Sequence, residues 1–188
     1  EIFNGKFVLA EQVLIEEFLA GDEMSYFVLS DGKIFKKFNT AQDHKRVGEG
    51  DRGKNTGGMG AYSPSGLINA ELDKKIITEI VNPTFQAIKD MGENYKGFLY
   101  VGLMIKDNNP YLIEYNVRMG DPECQTILPL LATDLLDLIL SCCDETLESQ
   151  DILWEEKKSM CVVLCSNGYP DSYKKDVEIP NIKKIKND

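Results

Sequence analysis

Basic residues are in short supply: 21 Lys and Arg stand against 31 Asp and Glu, a net charge of −10 over 188 residues. That balance excludes a general nucleic-acid or membrane-surface binder, which needs a basic face. It leaves room for local anion binding, because a few backbone N–H groups and one or two Lys suffice. There is one His, and no C-x-x-C pair among Cys124, Cys142, Cys143, Cys161 and Cys165, so no structural zinc site is expected. Five Cys in a chain this long do not read as a disulfide framework. All but Cys124 lie in an apolar helix or strand and are expected as small core residues in a reducing cytoplasm. No apolar run approaches the roughly 18 residues that span a bilayer, and no signal peptide, repeat or low-complexity linker is visible. The chain opens on Glu1 rather than Met and ends in Lys- and Asn-rich text, which fits a piece of something longer.

What is present is an α+β pattern: hairpins, with helices covering a sheet. Val13–Leu19 reads as a strand, or as a strand running into a connection. Ser25–Ser30 and Lys33–Phe38 read as two more, joined by Asp31-Gly32, a strong hairpin signal. From Asn39 to Gly66 the pattern dissolves into a loop holding seven Gly. Leu72, Ile76, Ile77, Ile80, Val81, Phe85 and Ile88 predict a helix from Asn69 to Met91, kinked at Pro83. Gly97–Lys106 predicts a strand, turned by Asp107–Pro110 into a partner beginning at Tyr111. A helical stretch follows Pro122. A second, about Thr133 to Asp144, is expected to bury Leu135, Leu136, Ile139 and Leu140 behind a Thr133 or Asp134 cap. Ser159–Ser166 reads as a buried strand.

Three stretches carry chemistry. In Tyr111–Val117, alternation puts Leu112, Glu114, Asn116 and then Arg118 on one face, and Ile113, Tyr115 and Val117 on the other. A carboxylate and an amide oxygen at i, i+2 reach one hard cation, and an Arg beyond them holds a phosphate or carboxylate. The same E-x-N also fits a sheet-edge salt bridge. The glycine loop, centred on Asn55–Pro64, is read as matching neither common phosphate fingerprint. Gly57, Gly58, Met59 and Gly60 let the backbone approach a ligand and offer N–H groups to an anion, if this is not simply a surface loop. Asp43, His44, Lys45 and Arg46 stand just before it, with Lys45 or Arg46 suited to phosphate. In Glu16–Glu23, backbone at Glu17, Phe18 and Leu19 suits an adenine edge and Glu23 the ribose hydroxyls; such an acidic stretch also fits a solvated face.

The ordered blocks Glu16–Glu23, Gln42–Arg46, Asn55–Pro64, Glu114–Asn116 and Arg118–Glu123 resemble glycinamide ribonucleotide synthetase (phosphoribosylamine–glycine ligase), of the ATP-grasp superfamily. The resemblance implies the C-terminal ATP-grasp subdomain, running into a small C-terminal domain: residues 1–153 and 154–188. It implies that ATP phosphorylates glycine and that 5-phosphoribosylamine displaces the phosphate, in purine synthesis. Glu114 and Asn116 would hold Mg²⁺ (or Mn²⁺) on the ATP phosphates. Arg118 would meet the transferring phosphoryl, Lys45 the γ-phosphate, Glu16 through Leu19 adenine, and Glu23 ribose. Asp121, with Asp43, His44 and the glycine loop, would border the acceptor substrates.

The sequence departs from the pattern at Gly102, where many relatives carry a second carboxylate, at Lys54 (usually Pro) and at Met119 (usually aromatic or Leu). An N-terminal domain and a phosphate-clamping lid would precede Glu1, and a C-terminal domain would continue past Asp188. The isolated chain is therefore expected to be inactive and to bind ATP weakly if at all. The longer protein is expected to be cytoplasmic and a monomer or dimer, with no nucleic-acid or membrane partner. The alternatives are another ATP-grasp carboxylate–amine ligase and a non-catalytic nucleotide-binding module.

Overall fold

The structure, a computed structural model, describes residues 12–179. Its spine is a six-stranded antiparallel sheet in the order β7-β6-β1-β2-β5-β8. The strands are β1 (Asp22–Asp31), β2 (Phe35–Asp43), β5 (Gly60–Ser63), β6 (Lys96–Lys106), β7 (Asn109–Asn116) and β8 (Ser159–Val162). A separate ribbon pairs β3 (Arg46–Gly48) with β4 (Arg52–Asn55). β1 is flanked on both sides, so Met24 through Asp31 are all buried.

The Asp31-Gly32 hairpin and the β6–β7 hairpin form as the turn residues predict. Asp31 fixes the first of these. Its Oδ1 accepts from Lys33 N and Ile34 N at 2.9 Å, and its Oδ2 from Leu147 N at 3.1 Å. Burial alone would raise its pKa; these N–H groups outweigh burial and hold it below the usual value.

The predicted helix runs as α1 (Ala70–Lys75), a π-turn over Ile76–Val81, and α2 (Asn82–Asp90). Asn69 caps it, accepting from Leu72 N at 3.0 Å. Pro83 lacks an N–H, and the turn before it widens: Asn82 N–H donates to Ile77, five residues back. Leu72, Ile76, Ile80 and Val81 pack on Met24, Tyr26 and Val28 of β1 and Leu99, Val101 and Leu103 of β6. On the opposite face, α3 (Cys124–Ile127) and α4 (Leu135–Cys143) cover Phe27, Leu29, Phe38, Ala41 and Tyr100.

Several expectations change. Val13–Leu19 forms no strand, and Leu14, Ile15 and Phe18 are exposed, because no described strand flanks them. The glycine-rich stretch is not one loop; it contains β3, β4 and β5. α4 caps on Asp134, but buries Leu138, Ser141 and Cys142 while Leu136, Ile139 and Leu140 face solvent. Hydrophobicity there runs nearly all round, so only the sheet decides which side goes in. β8 is an edge strand with Met160 and Val162 exposed, so it is not buried. Cys142 is buried, Cys161 half-buried, and Cys143 and Cys165 exposed, which removes the last two from the core.

Beyond Trp154, which packs edge-on against Phe38, the chain adds β8 to the sheet beside β5.

Candidate active site

On the α3/α4 face, the apolar core ends at Phe27, Ala41 and Tyr100. The next residues on each strand are polar. β1 supplies Ser25 and Glu23, β2 leads into Asp43 and Lys45, and β7 supplies Glu114, opposite Gly102 of β6. These side chains line one small pocket at the end of the sheet.

Its edge depends on a β-bulge. Gly102 pairs with Glu114 but Leu103 pairs with Leu112, leaving Ile113 extra on β7. The bulge breaks the strict alternation expected of Tyr111–Val117. Leu112 joins Tyr115 and Val117 along α2, whereas Ile113 and Glu114 line the polar pocket.

Lys45 is the cation of the pocket. Its Nζ lies 3.0 Å from Glu23 Oε2. Burial works against its charge, but Glu23, then Asp43 and Glu114, outweigh burial and hold the ammonium above the ordinary lysine range. Asp43 is buried, and among the described residues its Oδ1 has no hydrogen-bond partner. Burial and the Glu123 charge push its carboxyl up to about 7, against the pull of Lys45. Glu123 is buried as well, and Ser25 Oγ lies 2.9 Å from both its Oε1 and the Tyr100 hydroxyl. Burial, and then Glu123, raise the Tyr100 phenol.

The glycine loop packs against this cluster. His44 N donates to Gly60 O at 2.9 Å, Met59 N to His44 O at 2.8 Å, and Thr56 N to Lys45 O at 2.7 Å. Gly58 N donates to Thr56 Oγ1 at 3.0 Å and Gly57 N to the Tyr169 hydroxyl at 3.2 Å. Of the N–H groups expected to face an anion, those of Gly57, Gly58 and Met59 are therefore taken by protein acceptors. Gly58 has φ +121°, and a Cβ there would lie 2.5 Å from Pro122 Cδ and 3.0 Å from Asp43 Oδ1. The glycine allows loop, Asp43 and the Asp121-Pro122 turn to meet, which is a packing role rather than a ligand cradle.

Alongside lies an open groove of about 470 Å³, lined by Phe18 to Glu23, Gln42 to Arg46, Asp51 and Asn55. Of the expected adenine-side residues, Phe18, Leu19 and Glu23 reach this groove; Glu16 and Glu17 are exposed and do not line it. His44 lines it and stacks on Tyr62 with ring centroids 5.9 Å apart. Asn116 Nδ2 donates to Glu114 Oε1 at 3.2 Å. Arg118 and Asp121 sit past the strand end. Arg118 Nη1 donates to Met119 O at 2.9 Å, and Asp121 Oδ1 accepts from Gln125 at 2.6 Å.

The donor set fits a hard divalent cation. Glu114 offers a carboxylate, and Asn116 offers its amide oxygen once the amide is turned over. Among the described residues no three His, Cys, Asp or Glu side chains form a metal cage. Mg²⁺ needs none: it binds through one or two protein oxygens together with substrate phosphates.

Sequence reading missed Ser25, Tyr100 and Glu123 as members of the cluster; only their burial beside Asp43 reveals them. A further motif is misleading. Gly48-Glu-Gly-Asp-Arg-Gly53 fits G-x-G-x-x-G letter by letter, yet it forms the β3–β4 turn rather than a strand-to-helix junction. No described helix is long and apolar enough to cross a membrane.

The family model for the phosphoribosylglycinamide synthetase ATP-grasp (A) domain matches residues 1–124. Phosphoribosylamine–glycine ligase of Rhizobium meliloti (strain 1021) is 46% identical over 180 residues, 95% of this chain and 43% of that protein. The Vigna unguiculata ligase is 46% identical over 174 residues, 92% of this chain and 56% of its own length. The crystal structure of the Thermotoga maritima ligase superposes with a TM-score of 0.81 at 36% identity, over 92% of this chain and 44% of that one. A putative ATP-grasp superfamily protein from Archaeoglobus fulgidus, 20% identical with a TM-score of 0.52, covers 85% of this chain and shares the fold alone. This chain spans 43% and 56% of the length of the two sequence relatives. With its α+β sheet, its ordered motifs and these relatives, the chain belongs to the phosphoribosylglycinamide synthetase family and carries ATP-grasp (A) domain sequence.

Proposed function

We propose that this chain forms one wall of an ATP-dependent ligase that joins glycine to 5-phosphoribosylamine through glycyl phosphate, releasing ADP and phosphate. The observation that carries this reading is the meeting of Glu23, Asp43, Lys45 and Glu114 in one pocket, beside a groove that Phe18 and Leu19 help to line. Three carboxylates, Glu23, Asp43 and Glu114, surround one Lys, and the Glu123 charge acts on Asp43. An anionic nucleotide enters such a site only with cations. A divalent ion held by Glu114 and Asn116, when bound, neutralises phosphate charge during transfer.

The chain's own residues do the rest. Phe18 and Leu19 present backbone and side chain to the adenine, and Glu23 accepts from the ribose hydroxyls. Lys45 exchanges its Glu23 contact for phosphate oxygens. Arg118 faces the acyl phosphate from the strand end. Asp121 and the loop from Gly57 to Gly60 border the acceptor, with Asp43 and His44 beneath them. Residues 1–153 belong to the ATP-grasp domain and 154–188 open the domain that follows. The chain spans 43% and 56% of the length of the two sequence relatives, and by itself it is expected to turn nothing over.

The test is Mn²⁺ and ATP binding to the full-length parent protein by calorimetry. Mn²⁺-dependent ATP binding that Glu114→Ala abolishes supports the reading, and binding indifferent to that substitution overturns it. ATP- and glycine-dependent phosphate release from the chain alone would overturn the claim of inactivity.

A further inference from the structure

The pairing of β5 with β8 has a consequence past the end of β8. Gly60 is opposite Val162, and the antiparallel register continues: Val163 N donates to Met59 O at 2.9 Å. The residues after β8 must therefore run back along the glycine loop. They make two further contacts with it. Gly57 N donates to the Tyr169 hydroxyl at 3.2 Å, and Lys54 Nζ lies 2.6 and 2.7 Å from the two Asp171 oxygens. The segment is itself a built turn. Tyr169 N donates to Ser166 O at 3.2 Å, Asp171 N to Gly168 O at 2.9 Å, and the Tyr169 and Tyr173 rings meet edge to face at 5.6 Å.

We propose that Ser166–Tyr173 is a strap over the glycine loop, with Tyr169 as a positioning residue that holds Gly57 and, through it, the Gly58 contact with the Asp121-Pro122 turn. The chemistry is specific. Among the described residues a phenol oxygen is the acceptor on the Gly57 N–H, and the Lys54–Asp171 pair ties the strap to β4, on the far side of that hydrogen bond. The strap joins two regions that the proposed domain boundary at residue 154 separates, so loop position and the following segment move together. Its bearing on turnover rests on the reading of Gly57–Gly60 as an acceptor-side loop; the strap itself does not.

The test uses the 188-residue chain and amide hydrogen exchange read by ¹⁵N NMR. Tyr169→Phe removes the acceptor oxygen and keeps the ring. Gly57 is expected to exchange about tenfold faster, the effect of losing one hydrogen bond, while Val101 in the core strand β6 is unchanged. Lys54→Asp and Asp171→Lys are each expected to speed Gly57, and the double swap to slow it again. Unchanged Gly57 exchange in Tyr169→Phe overturns the strap. Equal acceleration at Val101 also overturns it, since Tyr169 would then act on global stability. No nucleotide or substrate enters this experiment, so its failure is distinct from failure of Mn²⁺ and ATP binding, which strikes the ligase reading instead.

Discussion

Gly102 stands directly opposite Glu114 across β6 and β7, and a Cβ on Gly102 would lie 3.1 Å from Glu114 Cγ. The absent side chain lets the Glu114 carboxylate lie over its neighbour strand. Gly102→Ala is expected to displace Glu114 and weaken Mn²⁺ binding several-fold, while Glu114→Ala removes it. Calorimetric titration of the full-length parent with Mn²⁺ in the presence of ATP checks both. Equal affinity in Gly102→Ala and the unaltered chain would show that Glu114 does not depend on that space.

Gly58 predicts a stability effect. At φ +121° an L side chain is strained, and the new methyl would lie 2.5 Å from Pro122 Cδ. Gly58→Ala is expected to cost about 2–4 kcal/mol, from backbone strain plus overpacking. Urea unfolding should show a lower midpoint with the same slope. A midpoint within experimental error of the unaltered chain would mean the loop does not hold this packing in solution.

Asp43 predicts a pH dependence. Its folded pKa, pushed up to about 7, lies above the unfolded carboxylate value. The folded chain therefore holds this proton longer than the unfolded chain. The contribution is fully present below about pH 4 and is lost as pH rises towards 7. Asp43→Asn should remove that slope and raise stability at pH 8 by on the order of 2 kcal/mol. Thermal melts at pH 5 and pH 8 measure it. A variant that is less stable than the parent at pH 8 would contradict the assignment.

Asp31 predicts the opposite slope. Three backbone N–H groups hold it ionised, so its contribution is present at neutral pH and lost as the solution is acidified through its folded pKa, which lies below the ordinary aspartate value. Asp31→Ala leaves those donors without the carboxylate and should cost about 2–3 kcal/mol at pH 7. Urea unfolding at pH 7 provides the measurement, and a loss well under 1 kcal/mol would mean water replaces the carboxylate.

Short-range signals determined much of this protein. Asp31-Gly32 specified the β1–β2 hairpin, the 3.6-residue spacing from Leu72 to Ile88 specified the helix, and Asn69 its start. The ordered motifs specified the family, because each is a contiguous string of side chains. Tertiary structure decided whatever needs a partner distant in sequence. The bulge at Ile113 turned Leu112 away from Glu114, since strand phase is set by the neighbour β6 and not by β7. The sheet chose Leu138 and Cys142 over Leu136 and Leu140 as the buried side of α4. Gly58 proved to serve close packing because Pro122, 64 positions on, fills the space beside it. Asp43 and Glu123, 80 residues apart, raise one carboxyl's pKa only because folding removes both from water and sets them side by side. Local periodicity and turn chemistry are written in adjacent residues; register, facing and desolvation exist only once the strands have found each other.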